Sequence, residues 1–537
     1  MINTVRSGYY GLKNKEKPVA CFLYAPWYDR AAGPFWHQWF WLPFTEIMPV
    51  LARTHRLVLW VPISFKDVAE KTVPNSQNLP DFQVVFFDPE KFTPSVQEAF
   101  FRVQNDFGCR TSGTDATLLA MAFRDFWAGE NVGPAPDVFF LNAGLKTAIF
   151  EKAFPKATFF RMEVGLYSTS FFPFTIFLDN ASYGAQNMYN RHASTLRKRQ
   201  LTSDEQAFLQ DLRAPLVEFL DTHMPFKQIL AAAKKRFRKL ILVVLQDDSA
   251  NFYGMCRFKS QLDFLESVLR QTPPDVGVVV TEHPWFPKIG SLWEKHFRLN
   301  WPNVIWDVSF QKTIGTADFW VRHVDAVVSV SSSVGHQAVF WQKPLMVPSD
   351  NSFLCALADA TSPGQLKEIL ASDQTVYSKD PILFWLLTHY WLPHELVKDP
   401  EWMGAWIQNA IANAGSLEAY PQTDSLSKLK AFCLSHKPHW AVRELRPGRM
   451  ASTNFLTGAI QDWLMDYQNL LDNPAAMSLE EPKTNRQVAL NMGLRNVLKV
   501  FIWAVLLRFR KTILGRILAH LKNHGVLSLI RASVRRL

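Results

Sequence analysis

Two apolar runs in the second half of the chain end in residues that can contact an anion. The first, VVVTEHP, spans residues 278–284, and the second, AVVSVSSSVG, spans residues 326–335. Runs of this kind are typical of buried parallel strands. Open α/β sheets bind ligands at the carboxyl ends of such strands. If the two strand ends are neighbours, an imidazole and a group of hydroxyls converge on one anion-sized volume.

The first run ends at His283 and Pro284. Proline cannot donate to a β-ladder and restricts the residue before it, so the strand should end here. The histidine could then hydrogen-bond to a phosphate or stabilise it electrostatically. A histidine that is satisfied within a loop is the alternative interpretation.

The second run ends in Ser331, Ser332 and Ser333, followed by Gly335. Hydroxyls at a strand-to-helix turn can cap the helix while its amides and dipole attract an anion. The alternative is a serine-rich cap without a ligand. The glycine pattern and lysine of a Walker motif are missing. Together the two runs predict a phosphate or nucleotide-diphosphate site.

Glu163 is the candidate general base, because it ends an earlier strand just before Gly165. A sugar transfer with inversion needs a base that takes the proton from an acceptor hydroxyl. Asp179 is the reserve candidate for this role. For either carboxylate, a position in a solvated loop is the alternative. No cluster of residues has the spacing of metal ligands, so we expect no metal and no cofactor besides the donor substrate.

The charge of the chain is concentrated at its end. Residues 482–537 contain 12 Lys and Arg and no Asp or Glu, whereas the remaining chain has 46 basic and 48 acidic residues. A nearly neutral body argues against nucleic-acid binding. The five cysteines show no short spacing and no secretory signal precedes residue 18, so we expect a cytoplasmic protein.

Strand-length apolar runs alternate with helical patterns over most of the chain. In the first half, strands are predicted at 18–25, 57–62, 82–87, 137–141 and 157–162, with a helix from Thr114 or Asp115 to Trp127. A polar helical connector is predicted at 191–235. In the second half, strands are predicted at 239–245, 276–280, 304–306, 326–330 and 345–347. This pattern predicts two Rossmann-like α/β domains, each with a parallel sheet, facing a cleft in the GT-B arrangement, with a C-terminal helical extension.

Three segments resemble the capsular polysaccharide biosynthesis and export proteins of Gram-negative bacteria, a β-Kdo-transferase-like family. They are FFRMEVGLYSTSFFPFTIFLDNASYG at 159–184, the HP pair with SSSVGHQAVFWQKPLMVP at 331–348, and FWLLTHYWLP at 384–393. The resemblance is one of motif order and covers roughly residues 137–400. It implies an inverting GT-B glycosyltransferase that moves Kdo or a related acid sugar from a CMP-linked donor to a lipid-linked or polysaccharide acceptor.

The resemblance also implies roles for domains and residues. Residues 1–225 would be an acceptor domain, 226–360 a nucleotide-sugar domain and 361–481 a helical extension. Glu163 would be the base, with His283 and the three serines on the donor phosphate. Many GT-B enzymes hold the ribose with a glutamate after the serine-glycine turn, whereas this chain has Gln337.

Residues 482–537 form the basic tail, in which apolar blocks alternate with Lys and Arg. Its longest apolar block, Val500–Leu507, is far shorter than the ~20 residues that span a bilayer. An interfacial helix on an anionic membrane is predicted, and packing on the body or on a partner, such as another capsule-assembly protein, is the alternative. We therefore expect a peripheral protein at the inner face of the cytoplasmic membrane. A CDP-alcohol-dependent polyol-phosphate transferase and a non-catalytic glycan assembly or export factor remain the rival functions.

Overall fold

The computed structural model describes residues 17–23, 47–63, 66, 81–105, 113–130, 132–142, 148–165, 175–181, 184–246, 255–283, 288–313, 315–371 and 379–435. The chain divides into two compact units. One comprises Met1–Pro287 with Asn303–Arg449, and the other comprises Lys288–Pro302 with Met450–Leu537. Both sheets belong to the first unit. The predicted domain boundaries at 225, 360 and 481 stay predictions.

The described residues form strands that belong to two sheets. In chain order they are β1 (Val19–Leu23), β2 (Arg56–Pro62), β3 (Phe82–Phe87), β4 (Val138–Asn142), β5 (Thr158–Val164), β6 (Thr175–Asp179), β7 (Lys239–Val244), β8 (Val276–Thr281), β9 (Val304–Ile305), β10 (Ala326–Ser329), β11 (Leu345–Met346) and β12 (Leu392–Pro393).

The helices cover the sheets and connect them. They are α1 (Pro94–Asn105), α2 (Thr114–Gly129), α3 (Ala148–Ala153), α4 (Met188–Arg191), α5 (Ala193–Lys198), α6 (Ser203–His223), α7 (Lys227–Arg236), α8 (Gln261–Gln271), α9 (Ser291–Asn300), α10 (Val308–Lys312), α11 (Thr316–Val321), α12 (Val334–Phe340), α13 (Leu366–Ala371), α14 (Asp380–Trp385), α15 (His394–Val397), α16 (Pro400–Ala412) and α17 (Leu426–Ser435).

The first sheet has seven strands in the order β12-β6-β5-β4-β1-β2-β3. Strands β1 to β5 are parallel, as predicted. Strand β6 was not predicted, and it runs antiparallel to both β5 and β12. Only residues 165–174 separate β5 from β6, and a parallel crossover needs a dozen or more residues. The short connection therefore requires the reversed direction.

Both faces of the first sheet are buried. Along β1, Ala20 and Phe22 enter one hydrophobic core, while Val19, Cys21 and Leu23 enter a second. The alternation follows from the two-residue period of a strand. The second core is rich in aromatic rings and lies under α1, α2 and α3. Two covered faces explain why the strand sequences are apolar throughout.

The predicted start of α2 differs slightly from the structure. Its N-cap is Gly113, at a φ of 128°, and it makes no side-chain cap bond. Thr114 and Asp115 lie inside the helix instead. Asp115 accepts a hydrogen bond of 2.8 Å from Nε of Arg102 on α1. The polar residues at this boundary therefore tie two helices together.

The predicted connector is helical and consists mainly of α5, α6 and α7. A capping box starts α6. The hydroxyl of Thr202 accepts from the amide of Glu205 at 3.3 Å, and the Glu205 carboxylate accepts from the amide of Thr202 at 2.9 Å. Such reciprocal bonds satisfy two amides that a helix start otherwise leaves open.

The second sheet has five strands in the order β11-β10-β7-β8-β9. Every pairing in it is parallel, as predicted. One continuous core contains residues of both sheets, including Phe22 of β1 and Leu242 of β7.

Residues 379–435, here called the return segment, carry the chain back to the first sheet. This part of the predicted helical extension contributes β12, which pairs with β6. Before β12, α14 continues into a π-helical turn at Leu386–Tyr390. The chain therefore has the predicted α/β fold of the GT-B type. It consists of two Rossmann-like sheets, a helical connector and a return of the chain to the first sheet.

The second compact unit is described only at 288–302. Its helix α9 carries aromatic rings one turn apart. The rings of Trp293 and Phe297 stack at a centroid distance of 5.8 Å, and His296 meets Trp301 edge-on at 5.7 Å. Trp293 and Phe297 are four residues apart, so their rings fall on one side of the helix, whereas Trp301 follows the end of α9.

Candidate functional site

The two strand ends that carry the predicted anion site are not neighbours. Strand β7 lies between β8 and β10. Neighbouring strands are about 4.8 Å apart, so the two ends are separated by roughly 10 Å. The expectation that they are adjacent and converge on one anion-sized volume is therefore wrong.

His283 follows β8 by two residues and is half-buried, as expected for a strand that ends there. Pro284 lies outside the described residues. The neighbouring Glu282 was not predicted as a site residue. Its Oε2 accepts hydrogen bonds from Nε1 of Trp306 at 3.0 Å and from Nε2 of Gln311 at 2.7 Å. A carboxylate at the carboxyl end of a buried strand was the sequence signal that could have identified it.

Ser331, Ser332 and Ser333 form the serine turn between β10 and α12. The Ser332 hydroxyl is buried and accepts from the amide of Val334 at 3.3 Å. The hydroxyl of Ser329 accepts from the amide of Ser332 at 3.1 Å. Ser333 is exposed at the N-cap and makes no side-chain cap bond. Ser332 therefore shapes the turn, whereas the hydroxyl of Ser333 is accessible to a ligand.

Gly335 is required by packing. A Cβ atom at this position would lie 2.5 Å from Cδ1 and 2.9 Å from Cδ2 of Leu354. Real Cβ contacts are longer than this, and Leu354 is fully buried. The predicted role of Gly335 at the donor therefore has a structural explanation that involves no ligand.

Gln337 points into the protein. It is 2% exposed, and its Nε2 donates to Oδ1 of Asp318 on α11. Holding a ribose would require this buried pair to open. The predicted contact with the nucleotide sugar is therefore not favoured by the geometry of Gln337.

Glu163 lies near the carboxyl end of β5, opposite Phe177 of β6. It is half-buried. Phe160 and Met162 enter the core that both sheets share, so the strand period directs Glu163 to the other face. Arg161, which shares that face, is 2% exposed and forms an ion pair with Glu151 of α3. Burial lowers the pKa of Arg161 to about 10.

Asp179, the reserve base, is almost completely buried, at 1% exposed. Its Oδ1 accepts from the amide of Ala181 at 2.8 Å, and its Oδ2 accepts from the amide of Met188 at 2.9 Å. The hydroxyl of Tyr390 also donates to Oδ2, at 2.7 Å. Burial raises the pKa of this carboxyl against the opposing effect of these donors. A group so enclosed organises the fold, and this placement argues against Asp179 as the base.

Asp179, Tyr189, His336 and Tyr390 form the crossover cluster. All but Tyr189 lie in the three segments that carry the resemblance, but no sequence pattern indicated that they meet. The hydroxyl of Tyr189 is 3.1 Å from Nε2 of His336. The rings of Tyr189 and Tyr390 meet edge-on at 5.6 Å. Burial lowers the pKa of His336 to about 3 and raises the pKa of both tyrosines well above their usual value. At neutral pH the histidine and both tyrosines are therefore uncharged, and the Asp179 carboxyl is enclosed by its hydrogen-bond donors.

Within the described ranges, no three His, Cys, Asp or Glu residues are grouped in a way that could hold a metal ion. Within the same ranges, no helix has the length and hydropathy to cross a membrane. The basic tail lies outside the described residues.

Comparisons with known proteins gave distant structural likenesses. The sequence matches no protein-family model and no curated protein. The beta Kdo 2,7 transferase KpsC of Thermosulfurimonas dismutans is 11% identical over 70% of this chain and 98% of that chain, with a TM-score of 0.34. The N-terminal domain of Candida albicans trehalose-6-phosphate phosphatase is 11% identical over 74% of this chain and 99% of that chain, with a TM-score of 0.35.

A third solved structure, the UDP-GlcNAc 2-epimerase of Neisseria meningitidis bound to UDP-GlcNAc, is 10% identical. The match covers 78% of this chain and 98% of the epimerase chain, with a TM-score of 0.23. Likenesses of this size carry no argument about activity. The fold assignment depends on the strand order and connections of this chain.

Proposed function

We propose that the protein is a glycosyltransferase that moves a sugar from a nucleotide donor to a lipid-linked or glycan acceptor. The observation that supports this most is the polar carboxyl edge of the second sheet. Glu282 and His283 follow β8, the serine turn follows β10, and β7 lies between them. Ligands of open α/β sheets bind at this edge. The separation of roughly 10 Å between His283 and the serine turn suits the phosphate and ribose of a nucleotide rather than one small anion.

Glu163 is the proposed base. Its carboxylate takes the proton of an acceptor hydroxyl, the hydroxyl oxygen bonds to the anomeric carbon, and the bond from that carbon to the nucleotide phosphate breaks. The nucleotide leaves with the electron pair. His283 and the serine turn stabilise the charge that develops on the phosphate. Attack from the side opposite the leaving group inverts the anomeric centre.

The donor class within this proposal is a CMP-linked acid sugar such as Kdo, on the resemblance of the three sequence segments. The reaction as proposed uses no metal ion and no cofactor other than the donor. The basic tail would hold the enzyme at the inner face of the cytoplasmic membrane, where a lipid-linked acceptor lies. Capsule-assembly proteins are further proposed partners.

A nucleotide panel tests the proposal. Thermal unfolding of the full chain would be followed with CMP, CDP, UDP and no nucleotide, since a ligand that binds the folded state raises the Tm. Product analysis would follow with CMP-Kdo, CDP-glycerol and UDP-sugars. We expect protection by CMP and transfer from CMP-Kdo. Transfer from CDP-glycerol alone would identify a polyol-phosphate transferase. Glycan binding without any turnover would indicate a non-catalytic assembly factor.

A further inference from the structure

The crossover cluster lies where the chain passes between the two sheets. The outward passage runs from β6, which ends at Asp179, through α4 to α7, and reaches β7 at Lys239. The return passage runs from β11 to β12 and includes Tyr390. Tyr189 belongs to the outward passage. The edge-on contact of Tyr189 and Tyr390 therefore joins the two passages at one point.

One end of the cluster reaches the proposed donor side. His336 lies on α12 three residues after Ser333, a spacing that places both on the same side of a helical turn. The Tyr189 hydroxyl bonds to its Nε2. Phe353 stacks on the His336 ring at 5.5 Å, and Trp391 meets it edge-on at 5.3 Å. The first turn of α12, and with it the serine turn, is thereby fixed to both passages.

The other end reaches the strand pair that carries the proposed base. The Tyr390 ring stacks on Phe177 at 5.2 Å, with an angle of 18° between the planes. Phe177 is the direct register partner of Glu163. The Tyr390 hydroxyl is held by Asp179 at the end of the same strand. A displacement of Tyr390 would therefore act on β6 next to Glu163.

We propose that Tyr189 and Tyr390 are positioning residues that hold the serine turn at a fixed separation from Glu163. The inference rests on the proposed function, because it assigns those two groups to opposite sides of one reaction. Both tyrosines are at most 2% exposed, and each hydroxyl has a specific polar partner. Apolar rings can pack in several registers, whereas a buried hydroxyl is satisfied in few of them. The two hydroxyls therefore select one arrangement of the sheets.

The test removes single hydroxyls with Tyr189→Phe and Tyr390→Phe. Tyr420→Phe is the matched control. Tyr420 is 1% exposed, and its hydroxyl bonds to the Leu178 carbonyl at 3.0 Å and to Asn180, on the first-sheet side alone. Each variant loses one oxygen atom from a buried ring. The Tyr420 hydroxyl also accepts from the amide of Asn180 at 3.0 Å, so the loss of stability in the control should be at least as large as in the two cluster variants.

The first measurement does not depend on turnover. Pulsed electron paramagnetic resonance measures the separation of the two sheets. The spin labels are attached at Met121→Cys on α2 and Val308→Cys on α10, both exposed in the native chain. The partly exposed native cysteines would be replaced by alanine in all samples. We expect the distance distribution to widen in Tyr189→Phe and Tyr390→Phe and to stay at the wild-type width in Tyr420→Phe. Equal widths in all three variants would overturn the inference.

The second measurement is transfer by the full chain with CMP-Kdo. Because misplacement of reacting groups by about 1 Å can cost up to 100-fold, we expect kcat to fall about tenfold in the two cluster variants. The donor KM should change less than threefold, and the control should match wild type. If wild type transfers no donor, the proposed function fails, while the label distances still decide whether the tyrosines couple the sheets. Transfer that falls equally in all three variants would count against a positioning role.

Discussion

The hydroxyl of Tyr390 donates a 2.7 Å hydrogen bond to Oδ2 of Asp179, across 211 positions of the chain. Asp179 ends β6, and Tyr390 ends the π-helical turn that precedes β12. The bond therefore fixes the return segment beside the strand with which β12 pairs. Because the same carboxylate also caps the amide of Met188, one buried group organises the start of the outward passage and the end of the return.

Asp179→Asn should destabilise the protein by about 2–4 kcal/mol, because an amide NH2 would face a backbone donor that the carboxylate now satisfies. The free energy of unfolding in urea measures this. Asp115→Asn is the control. Its ion pair with Arg102 is largely solvent-exposed, so its loss should cost at most about 1 kcal/mol. If the Asp179→Asn protein has wild-type stability but transfers no sugar, the result would indicate that Asp179 is the base.

Gly335→Ala should cost about 1–3 kcal/mol, because the new methyl group overlaps the buried side chain of Leu354. Gly404→Ala is the matched helical control. Its Cβ would lie an ordinary 3.6 Å from Val50, so this change should stabilise α16 by roughly 0.5–1 kcal/mol. Urea unfolding of both variants gives the comparison. A loss of donor affinity in Gly335→Ala without a loss of stability would support the predicted ligand contact instead.

Stability should fall as the pH falls from 6.5 toward 4. Burial lowers the pKa of His336 to about 3 and those of His323 and His389 to about 4, so between these values and 6.5 the unfolded chain binds more protons. Each histidine contributes at most about 1.4 kcal/mol per pH unit in that window. Asp179 has the opposite effect on stability just above pH 3.8. Its pKa is raised in the folded protein, so there the folded chain binds more protons than the unfolded chain.

Urea midpoints between pH 7 and 5 measure this dependence. His323→Gln removes one of the three titrations, so the slope of stability against pH should decrease by up to about 1.4 kcal/mol per pH unit. Identical slopes for the variant and wild type would show that His323 titrates normally in the folded protein.

Glu163→Gln should lower kcat at least 100-fold and leave the Tm shift produced by CMP unchanged, since a base acts on the acceptor and not on the nucleotide. Transfer assays and thermal unfolding measure the two quantities. Glu98→Gln removes an equal charge from a side chain that is 73% exposed on α1, and it should retain full activity. A fully active Glu163→Gln enzyme would exclude Glu163 as the base.

Deletion of residues 496–537 should release the protein from anionic liposomes, because most of the positive charge of the basic tail is removed. Flotation with vesicles of anionic and of neutral lipid measures the binding. We expect wild type to bind the anionic vesicles alone. Equal binding of the full and truncated chains would assign membrane contact to another part of the protein.

The sequence determined most of the elements, because each depends on local patterns. Strand β3 occupies the predicted residues 82–87, and β2, β4, β5 and β7 to β11 begin or end within two residues of their predicted bounds. Apolar β-branched and aromatic residues favour a strand wherever both faces will be covered. Glu163 and His283 were likewise placed at strand ends by the residues that follow them in the chain.

Only the tertiary structure decided the relations between distant segments. The position of β7 between β8 and β10, the pairing of β12 with β6 and the burial of Asp179 each require contacts that no local pattern encodes. Gly335 and Gln337 resembled ligand contacts in the sequence because the same small and polar residues also serve packing against Leu354 and Asp318. Strand order and burial depend on which surfaces meet when the whole chain closes, so the crossover cluster became visible only in the folded protein.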